Sequence, residues 1–374
     1  MSSANSCRQP RLLTCGLRGI PPASPRRRRP RLASSYPSGV VSDQRPGLDP
    51  RRLVALMAAA IERLRLQLGG HVVLTEAATG AYAVTPVLAA LAGAQVFALA
   101  NATRYASAAE IEEATLGLAR IAGVRNSIEL VHEKDPGLLN QVDIVTNSGQ
   151  VRPIDKAMVT HLKSSCVVPL MYEAWEYRVA DVDLDACRSR GIVVAGTNEE
   201  HPAVDVFSYL GVLAVRQLHD AGISVYGSHI VLLCDNDFAP FIRSGLESCG
   251  AKVSEARQLT RQILTPECDA IVVALKPGDA PVLTAADADL LGQHAPGSVV
   301  VQYWGDTDRT ALARTNVPVW PPQEPVAGHM AVLLSAIGPE PIVRLQAGGL
   351  KVGEVLARGL DRAAAQERAL VEPL

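Results

Sequence analysis

The sequence has few aromatic side chains, no long apolar run and no paired cysteines. Phe, Trp and Tyr make up 4% of the 374 residues, and no stretch reaches the roughly 18 to 20 apolar residues that a membrane-spanning helix requires. The seven cysteines are scattered, without a CxxC pair or the Cys/His spacing of a zinc site. We therefore expect a protein with no membrane span, no disulfide framework and no metal, and we predict a cytoplasmic location.

Acidic residues are almost absent from the first fifty positions. Residues 1–52 contain eleven Lys and Arg and two acidic residues, whereas the rest of the chain contains 25 basic and 36 acidic residues and carries a net charge of −11. Because this segment is also rich in proline and serine, we predict that residues 1–50 form a disordered basic arm. Three explanations of this segment stay open. It is an over-long start assignment in a gene of high G+C content, a solvated tail, or a functional arm such as a transit peptide or a contact for an anionic surface. The acidic body argues against nucleic acid as a main partner.

From Arg51 onward, helix-like and strand-like apolar patterns alternate along the chain. An amphipathic helix is predicted over residues 52–68, ended by two glycines, and the segments that follow it have the βαβ rhythm of a parallel sheet. A long apolar helix over residues 203–219 leads to a second such series, which starts with the strand at 229–233. The pattern predicts an α/β protein with two Rossmann-like domains, parallel sheets and an interdomain cleft.

The predicted boundaries follow from these two series of strands. We assign residues 51–220 to a substrate-type domain and residues 221–328 to a dinucleotide-binding-type domain. Residues 329–374 are predicted to form helices that return to the first domain.

Residues 181–218 resemble the D-isomer-specific 2-hydroxyacid dehydrogenases. The segment DVDLDACRSRGIVVAGTN is similar to the acidic stretch that ends the substrate domain in that family, and the apolar helix after it is similar to the family's crossing helix. The resemblance extends over residues 141–340, and residues 75–107 are laid out like the substrate domain of S-adenosylhomocysteine hydrolases. The resemblance to the dehydrogenases implies a two-domain fold, NAD or NADP as cofactor, hydride exchange at the cleft, and a homodimer.

The glycines that a dinucleotide-binding loop needs are missing. The three matching positions after the strand at 229–233 are Cys234, Asn236 and Ala239, of which only Ala239 is a suitable small residue. The two neighbouring aspartates place carboxylates where a pyrophosphate would lie, and at an effective dielectric constant of about 20 each such pair about 4 Å apart costs on the order of 4 kcal/mol. Glu255 is either the carboxylate that binds the ribose or a solvated surface residue. We therefore predict weak or absent binding of NAD and NADP.

The catalytic residues of the family are only partly matched. Trp304 stands where the family has the arginine that holds the substrate carboxylate, and Arg178 is a candidate replacement because a guanidinium suits carboxylates and phosphates. Glu324 and His329 resemble the family's Glu–His pair, which predicts that Glu324 raises the pKa of His329 and makes it an acid or base. The alternative is that Glu324 lies in a turn and that His329 begins a helix.

Further candidate residues follow the predicted strands at 166–170, 192–194 and 299–302. The carboxyl ends of parallel strands face the crevice where α/β proteins bind ligands, and the aromatic side chains among these residues favour a flat or organic ligand over plain packing. The candidate substrate-binding residues are Tyr172, Glu173, Trp175, Glu176, Asn198 and Trp304.

Two functions stay open. The first is an NAD(P)-dependent oxidoreductase of the 2-hydroxyacid dehydrogenase type, acting at the interdomain cleft with His329, Glu324 and Arg178. The second is a divergent homologue without nicotinamide binding, which acts as a non-redox enzyme or as a ligand-binding accessory protein. In both cases the expected partner is a small anionic or organic molecule.

Overall fold

The computed structural model describes residues 45–374, which form two α/β domains. The strands are β1 Val72–Glu76, β2 Gln95–Leu99, β3 Ile128–Val131, β4 Ile144–Val145, β5 Val167–Pro169, β6 Val193–Thr197, β7 His229–Cys234, β8 Lys252–Ala256, β9 Cys268–Ala274, β10 Val299–Trp304, β11 Val319–Trp320 and β12 Val371–Pro373. The helices are α1 Pro50–Leu64, α2 Val84–Leu91, α3 Ala108–Ile121, α4 Pro136–Leu139, α5 Lys156–His161, α6 Leu184–Ser189, α7 Ser208–Asp220, α8 Ala239–Ser248, α9 Ala285–His294, α10 Arg309–Arg314, α11 Glu340–Arg358 and α12 Ala365–Arg368.

The first sheet has seven strands in the order β12-β6-β5-β4-β1-β2-β3. The six strands from β1 to β6 are parallel, and β12 from the end of the chain pairs antiparallel with β6. A separate apolar core covers each face of this sheet, as expected for a parallel sheet with helices on both sides.

The second sheet has five parallel strands in the order β11-β10-β9-β7-β8. Its central strands are buried on both faces, and Ile230, Val231, Leu232 and Leu233 are all 0% exposed. This continuous apolar run is typical of a strand inside a parallel sheet. The carboxyl ends of its strands form the edge of the domain that contributes to the cleft described below.

Two long helices connect the domains. Helix α7 leads from the first domain into the second and packs on α8, while α11 returns and packs against α1, α2, β5 and β6. The predicted fold class, two Rossmann-like domains with parallel sheets and a cleft between them, is confirmed.

The first described residues, just before Arg51, already contact the body of the protein. Asp49 caps α1 by accepting hydrogen bonds from the amides of Arg51 and Arg52, and the guanidinium of Arg45 donates to the carbonyl oxygens of Ser335 and Ala336 at 3.0 and 2.9 Å. Residues 45–50, which the sequence assigns to the arm, are therefore attached to the body. The remainder of the predicted arm lies outside the described residues.

Several predicted helix bounds are wrong. Helix α1 ends at Leu64, before the two glycines, because Arg65 adopts a left-handed conformation with φ of 49° and its amide closes the last turn. Helix α7 begins at Ser208 instead of 203, and the returning helix begins at Glu340. By contrast, the predicted N-cap of α3 is confirmed, since Ser107 and Glu110 form a capping box.

No helix within residues 45–374 is long and apolar enough to cross a membrane. The cysteines of this part of the chain are free thiols, and only Cys249 is exposed. No group of three or more His, Cys, Asp or Glu side chains in the same residues is placed to hold a metal ion.

Candidate functional site

A cavity of about 380 Å³ lies between the two domains. The first domain contributes the loop after β5, the second contributes the start of α8 and the end of β10, and the connecting segments complete the wall. The lining residues are Trp175, Glu176, Tyr177, Arg178, Glu199, Phe207, Leu210, Phe238, Pro277, Trp304, Gly328, His329, Met330, Leu333 and Leu334. The volume is in the range of pockets that bind small molecules.

Aromatic side chains from both domains meet in one wall of this cavity. The ring of Trp175 lies 5.4 Å from Trp304 and 6.3 Å from Phe238, and Phe238 lies 5.3 Å from both Trp304 and Phe207. These four residues are a large share of a chain with three Trp and four Phe. Phe207, Phe238 and Trp304 also belong to the buried core of the second domain, whereas Trp175 is 47% exposed.

Arg178 and His329 both line the cavity, and the charge of Arg178 acts on the imidazole. The segment that contains His329 is attached to the end of β10, since the indole nitrogen of Trp304 donates to the carbonyl of Gly328 at 3.2 Å. The amide of Gly328 also donates to the carboxylate of Asp306 at 3.2 Å. His329 is thus held by a turn and does not begin a helix.

The expectation of a raised histidine pKa is wrong. Burial, followed by the positive charges of Arg178, Arg104 and Arg152, lowers the pKa of His329, and Asp306 only partly opposes this shift. This lowered pKa favours the neutral imidazole. Of the three arginines, Arg178 lines the cavity, and Arg152 pairs with Asp181.

Glu324 does not pair with His329. Its side chain is exposed and is absent from the lining of the cavity, and its charge acts instead on Arg309. The chain passes over the surface between β11 and the turn at Gly328, so the motif likeness does not place the two side chains together. Asp306 is the acidic residue that influences His329.

Two acidic side chains, Glu176 and Glu199, also line the cavity, and Glu173 and Glu372 act on them from behind the lining. Burial, with Glu372 and Glu176 nearby and an opposing hydrogen bond from the indole of Trp175, raises the pKa of Glu173 to about 7. Burial and Glu372, opposed by Arg178, also raise the pKa of Glu176 to about 7. These carboxyls sit close enough to repel one another when they are ionised.

Glu199 is the most buried member of this group. It is 7% exposed, and burial together with Glu176, Glu173 and Glu372 raises its pKa well above the usual range. Its backbone amide donates to the carboxylate of Glu173 at 3.3 Å, but no described residue donates a hydrogen bond to its own carboxyl. Glu372 comes from β12, where it accepts a hydrogen bond from the amide of Ala174 at 2.7 Å.

Three of the predicted substrate-binding residues, Tyr172, Glu173 and Asn198, do not line the cavity, whereas Trp175, Glu176 and Trp304 do. The hydroxyl of Tyr172 donates to Asp181 at 3.1 Å, and Asp181 pairs with Arg152 at 2.9 Å. The side-chain amide of Asn198 donates to the carbonyl of Ala369 at 3.1 Å, and its oxygen accepts hydrogen bonds from the two amides at 200 and 201. Tyr172 therefore orients Asp181, whereas Asn198 ties a loop to the end of the chain.

The loop after β7 does not fit a nicotinamide dinucleotide. The side-chain amide of Asn236 donates to the carbonyl of Ala274 at 2.7 Å, and its oxygen accepts from the amide of Phe238 at 3.1 Å. Pro240, in the first turn of α8, has no amide hydrogen to offer. The helix N-terminus, which binds the pyrophosphate in Rossmann domains, thus has few free donors, and the buried ring of Phe238 stands beside it.

The other predicted cofactor residues lie around this loop. Cys234 ends β7 and is buried, which raises its thiol pKa to about 11, and Ala239 begins α8 and is buried as well. Glu255 lies on β8, where its carboxylate is 4.0 Å from the guanidinium of Arg243.

Sequence reasoning did not select several residues that line the cavity or lie close to it. Arg104 and Arg152 follow β2 and β4, so the same rule about carboxyl ends of parallel strands that selected Arg178 would have included them. Phe238 had no such signal, because the sequence analysis treated its segment as a dinucleotide-binding loop and did not consider that its side chain would line the cavity.

No family model and no curated protein matches the chain, but solved structures do. A dipicolinate synthase chain from Bacillus halodurans aligns with a TM-score of 0.51 and 12% identity over 78% of this chain and 99% of its own. The dipicolinate synthase chain from Bacillus subtilis gives a TM-score of 0.50 and 9% identity over 82% of this chain and 99% of its own. A D-lactate dehydrogenase from Treponema pallidum gives a TM-score of 0.45 and 10% identity over 66% of this chain and 92% of its own. The likeness establishes the fold, and confirms the architecture that the resemblance to 2-hydroxyacid dehydrogenases implied.

Proposed function

We propose that this protein binds a small organic anion in the cavity between its domains, and that it does so without a nicotinamide dinucleotide. The single observation that carries the proposal is that Arg178 and His329 line the same cavity. A guanidinium group close to a neutral imidazole favours a carboxylate or a phosphate.

The aromatic wall supports an organic ligand over an inorganic ion. Trp175, Phe238 and Trp304 offer flat apolar surface in the same cavity as Arg178. A carboxylate attached to a planar or apolar body would contact both, with the charged group toward Arg178 and the body against the rings.

The cofactor loop supports a function without hydride transfer. The amide of Phe238 is already used by Asn236, and Asp235 accepts a hydrogen bond from the amide of Lys276 at 2.9 Å. A pyrophosphate in this place would meet carboxylates in place of free amides. We therefore propose a non-redox enzyme or a ligand-binding accessory protein, acting on a small molecule as a homodimer.

Calorimetric titration with benzoate, with NADH as a second probe, tests the proposal. Benzoate should bind, and Arg178→Gln should weaken it by about tenfold to a hundredfold, the value of a lost charged hydrogen bond. Arg188→Gln is the matched control, because Arg188 is exposed on α6 and pairs with Asp185. Equal affinity of the Arg178 and Arg188 variants, or no binding of benzoate, would contradict the proposal.

The second candidate, a 2-hydroxyacid dehydrogenase, is favoured by the fold and by the position of Glu255 on the second strand of its domain. Saturable quenching of NADH fluorescence with a micromolar dissociation constant would support it, and would require the loop after β7 to rearrange.

A further inference from the structure

Binding of an anion does not explain why two glutamates line the cavity. Glu176 and Glu199 line the same space as Arg178 and His329, yet carboxylates repel an anion. A site for an anion alone has no use for glutamates in its wall. Their presence indicates that the ligand carries a second group of opposite charge.

The charged side chains that line the cavity form two interacting groups. The charges that shift the pKa of His329 are those of three arginines and of Asp306, and no glutamate is among them. The charges that shift the pKa of Glu199 are those of three glutamates, and no arginine is among them. Glu176 interacts with both groups, because Glu372 raises its pKa and Arg178 lowers it. We call Arg178 with His329 the positive pole of the cavity and Glu176 with Glu199 its negative pole.

The carboxyl of Glu199 is unpartnered although it is more than nine-tenths buried. It is 7% exposed, it lines the cavity, and within residues 45–374 it neither accepts a hydrogen bond nor forms an ion pair. Burying a carboxyl in this way is unfavourable unless a donor satisfies it. The oxygens of Glu199 are not among the fully enclosed atoms that lack a partner in residues 45–374, and the side chain lines the cavity, so a donor in the cavity can reach them.

The surroundings of this carboxyl suit an organic cation better than a metal ion. No group of three or more acidic, His or Cys side chains in the described chain has a metal-binding arrangement. The rings of Trp175, Phe238 and Trp304 line the same cavity as this carboxyl, and an ammonium group is attracted to aromatic faces. Trp175 already takes such a contact, since the ammonium of Lys276 lies 5.8 Å from its ring centroid.

We propose that the ligand is a zwitterion of the amino-acid type, with its carboxylate toward Arg178 and His329 and its ammonium group toward Glu199 and Glu176. The carboxylate half rests on the proposed function, and the ammonium half is new. The arrangement separates an amino acid from the 2-hydroxy acid of the same skeleton, because a hydroxyl group brings no charge to Glu199.

Three ligands with one skeleton test the assignment on the full chain. Phenylalanine, as each enantiomer, carries both charges, 3-phenyllactate carries only the carboxylate, and 2-phenylethylamine carries only the ammonium. The smaller set of alanine, lactate and ethylamine serves if the phenyl ring is too large. One enantiomer of the amino acid should bind about tenfold or more tightly than the other two members of its set, because each charge supplies a charged hydrogen bond.

Glu199→Gln should remove this advantage and leave the affinity for the hydroxy acid unchanged. Glu200→Gln is the matched control, since Glu200 is the next residue and is exposed. Glu176→Gln provides an independent variant at the same pole, and thermal melts verify that each variant is folded.

The outcomes separate this inference from the proposed function. If the hydroxy acid binds as tightly as the amino acid, the zwitterion proposal is overturned and anion binding stands. If Glu199→Gln keeps the preference for the amino acid, the assignment of the negative pole is wrong. If only the amines bind, or if no member of either set binds, both proposals fail.

Discussion

Glu199 holds a carboxyl in a place where its ionised form is unfavourable, and Glu173 and Glu176 share that environment. The pKa values of Glu173 and Glu176 are about 7 in the folded protein, whereas the ordinary value is 4.5. The folded state therefore binds protons that the unfolded chain has already released between these two pH values. Its stability is greatest below about pH 4.5 as far as these groups are concerned, and falls as the pH rises through about 7.

Glu199→Gln should therefore raise the stability of the protein at pH 8 more than at pH 5. Removing one buried carboxyl from the cluster also relieves its neighbours, and we expect a gain of about 1 to 3 kcal/mol at pH 8, the usual range for a buried unpaired charge. Thermal melts of both proteins between pH 5 and pH 8 measure the difference. Glu200→Gln should follow the natural protein throughout, and parallel curves for the Glu199 variant would contradict the electrostatic explanation.

At the scale of elements, the position of α8 depends on a close crossing with α7. A Cβ atom added to Gly211 would lie 2.6 Å from the carbonyl oxygen of Phe241 and 2.8 Å from the Cα of Gly245. The two helices meet through these glycines, so their backbones are in contact. Because Phe238 immediately precedes α8, the same crossing sets the position of the aromatic wall.

Gly211→Ala should separate α7 from α8 and destabilise the protein by about 1 to 3 kcal/mol, as is usual when a close-packed contact is overfilled. Gly117→Ala on α3 is the control. Its added Cβ would meet only flexible side-chain ends at 3.6 Å or more, so it should stabilise the helix by about 0.5 to 1 kcal/mol. Denaturant unfolding of both variants measures the two effects, and a Gly211 variant as stable as the natural protein would refute the crossing.

Across the whole molecule, the fold could be predicted from local patterns, whereas the site could be predicted only in part. Alternating strands and helices fix a parallel sheet, and strand ends then select loops such as the one with Arg178. Glu324 shows the limit of a motif likeness, because the path of an exposed loop between two matched residues is not encoded in their spacing. Glu372 had no local signal at all, since it reaches Glu173 only through the pairing of β12 with β6.

Trp175 connects the two domains through its ring. Its side chain extends from the loop after β5 in the first domain and faces Phe238 and Trp304, which belong to the apolar core of the second. The side chain is 47% exposed, so the pairs stabilise the closed cleft without sealing it. A ligand that enters beside these rings would increase the buried area and favour the same closed arrangement.

Trp175→Ala should therefore loosen the cleft while each domain keeps its own core. We expect a loss of about 1 to 2 kcal/mol in domain coupling, less than for a fully buried tryptophan because half of the ring is already in contact with water. Hydrogen exchange should become faster in residues 328–334 and in the loop 174–178, with the amides of β7 and β9 unchanged. Trp320→Phe, on the second domain but outside the aromatic wall, should leave all of these rates as they are. If exchange in the cleft segments of Trp175→Ala matches that of the natural protein, the domains are held together by other contacts, and the ring serves the ligand alone.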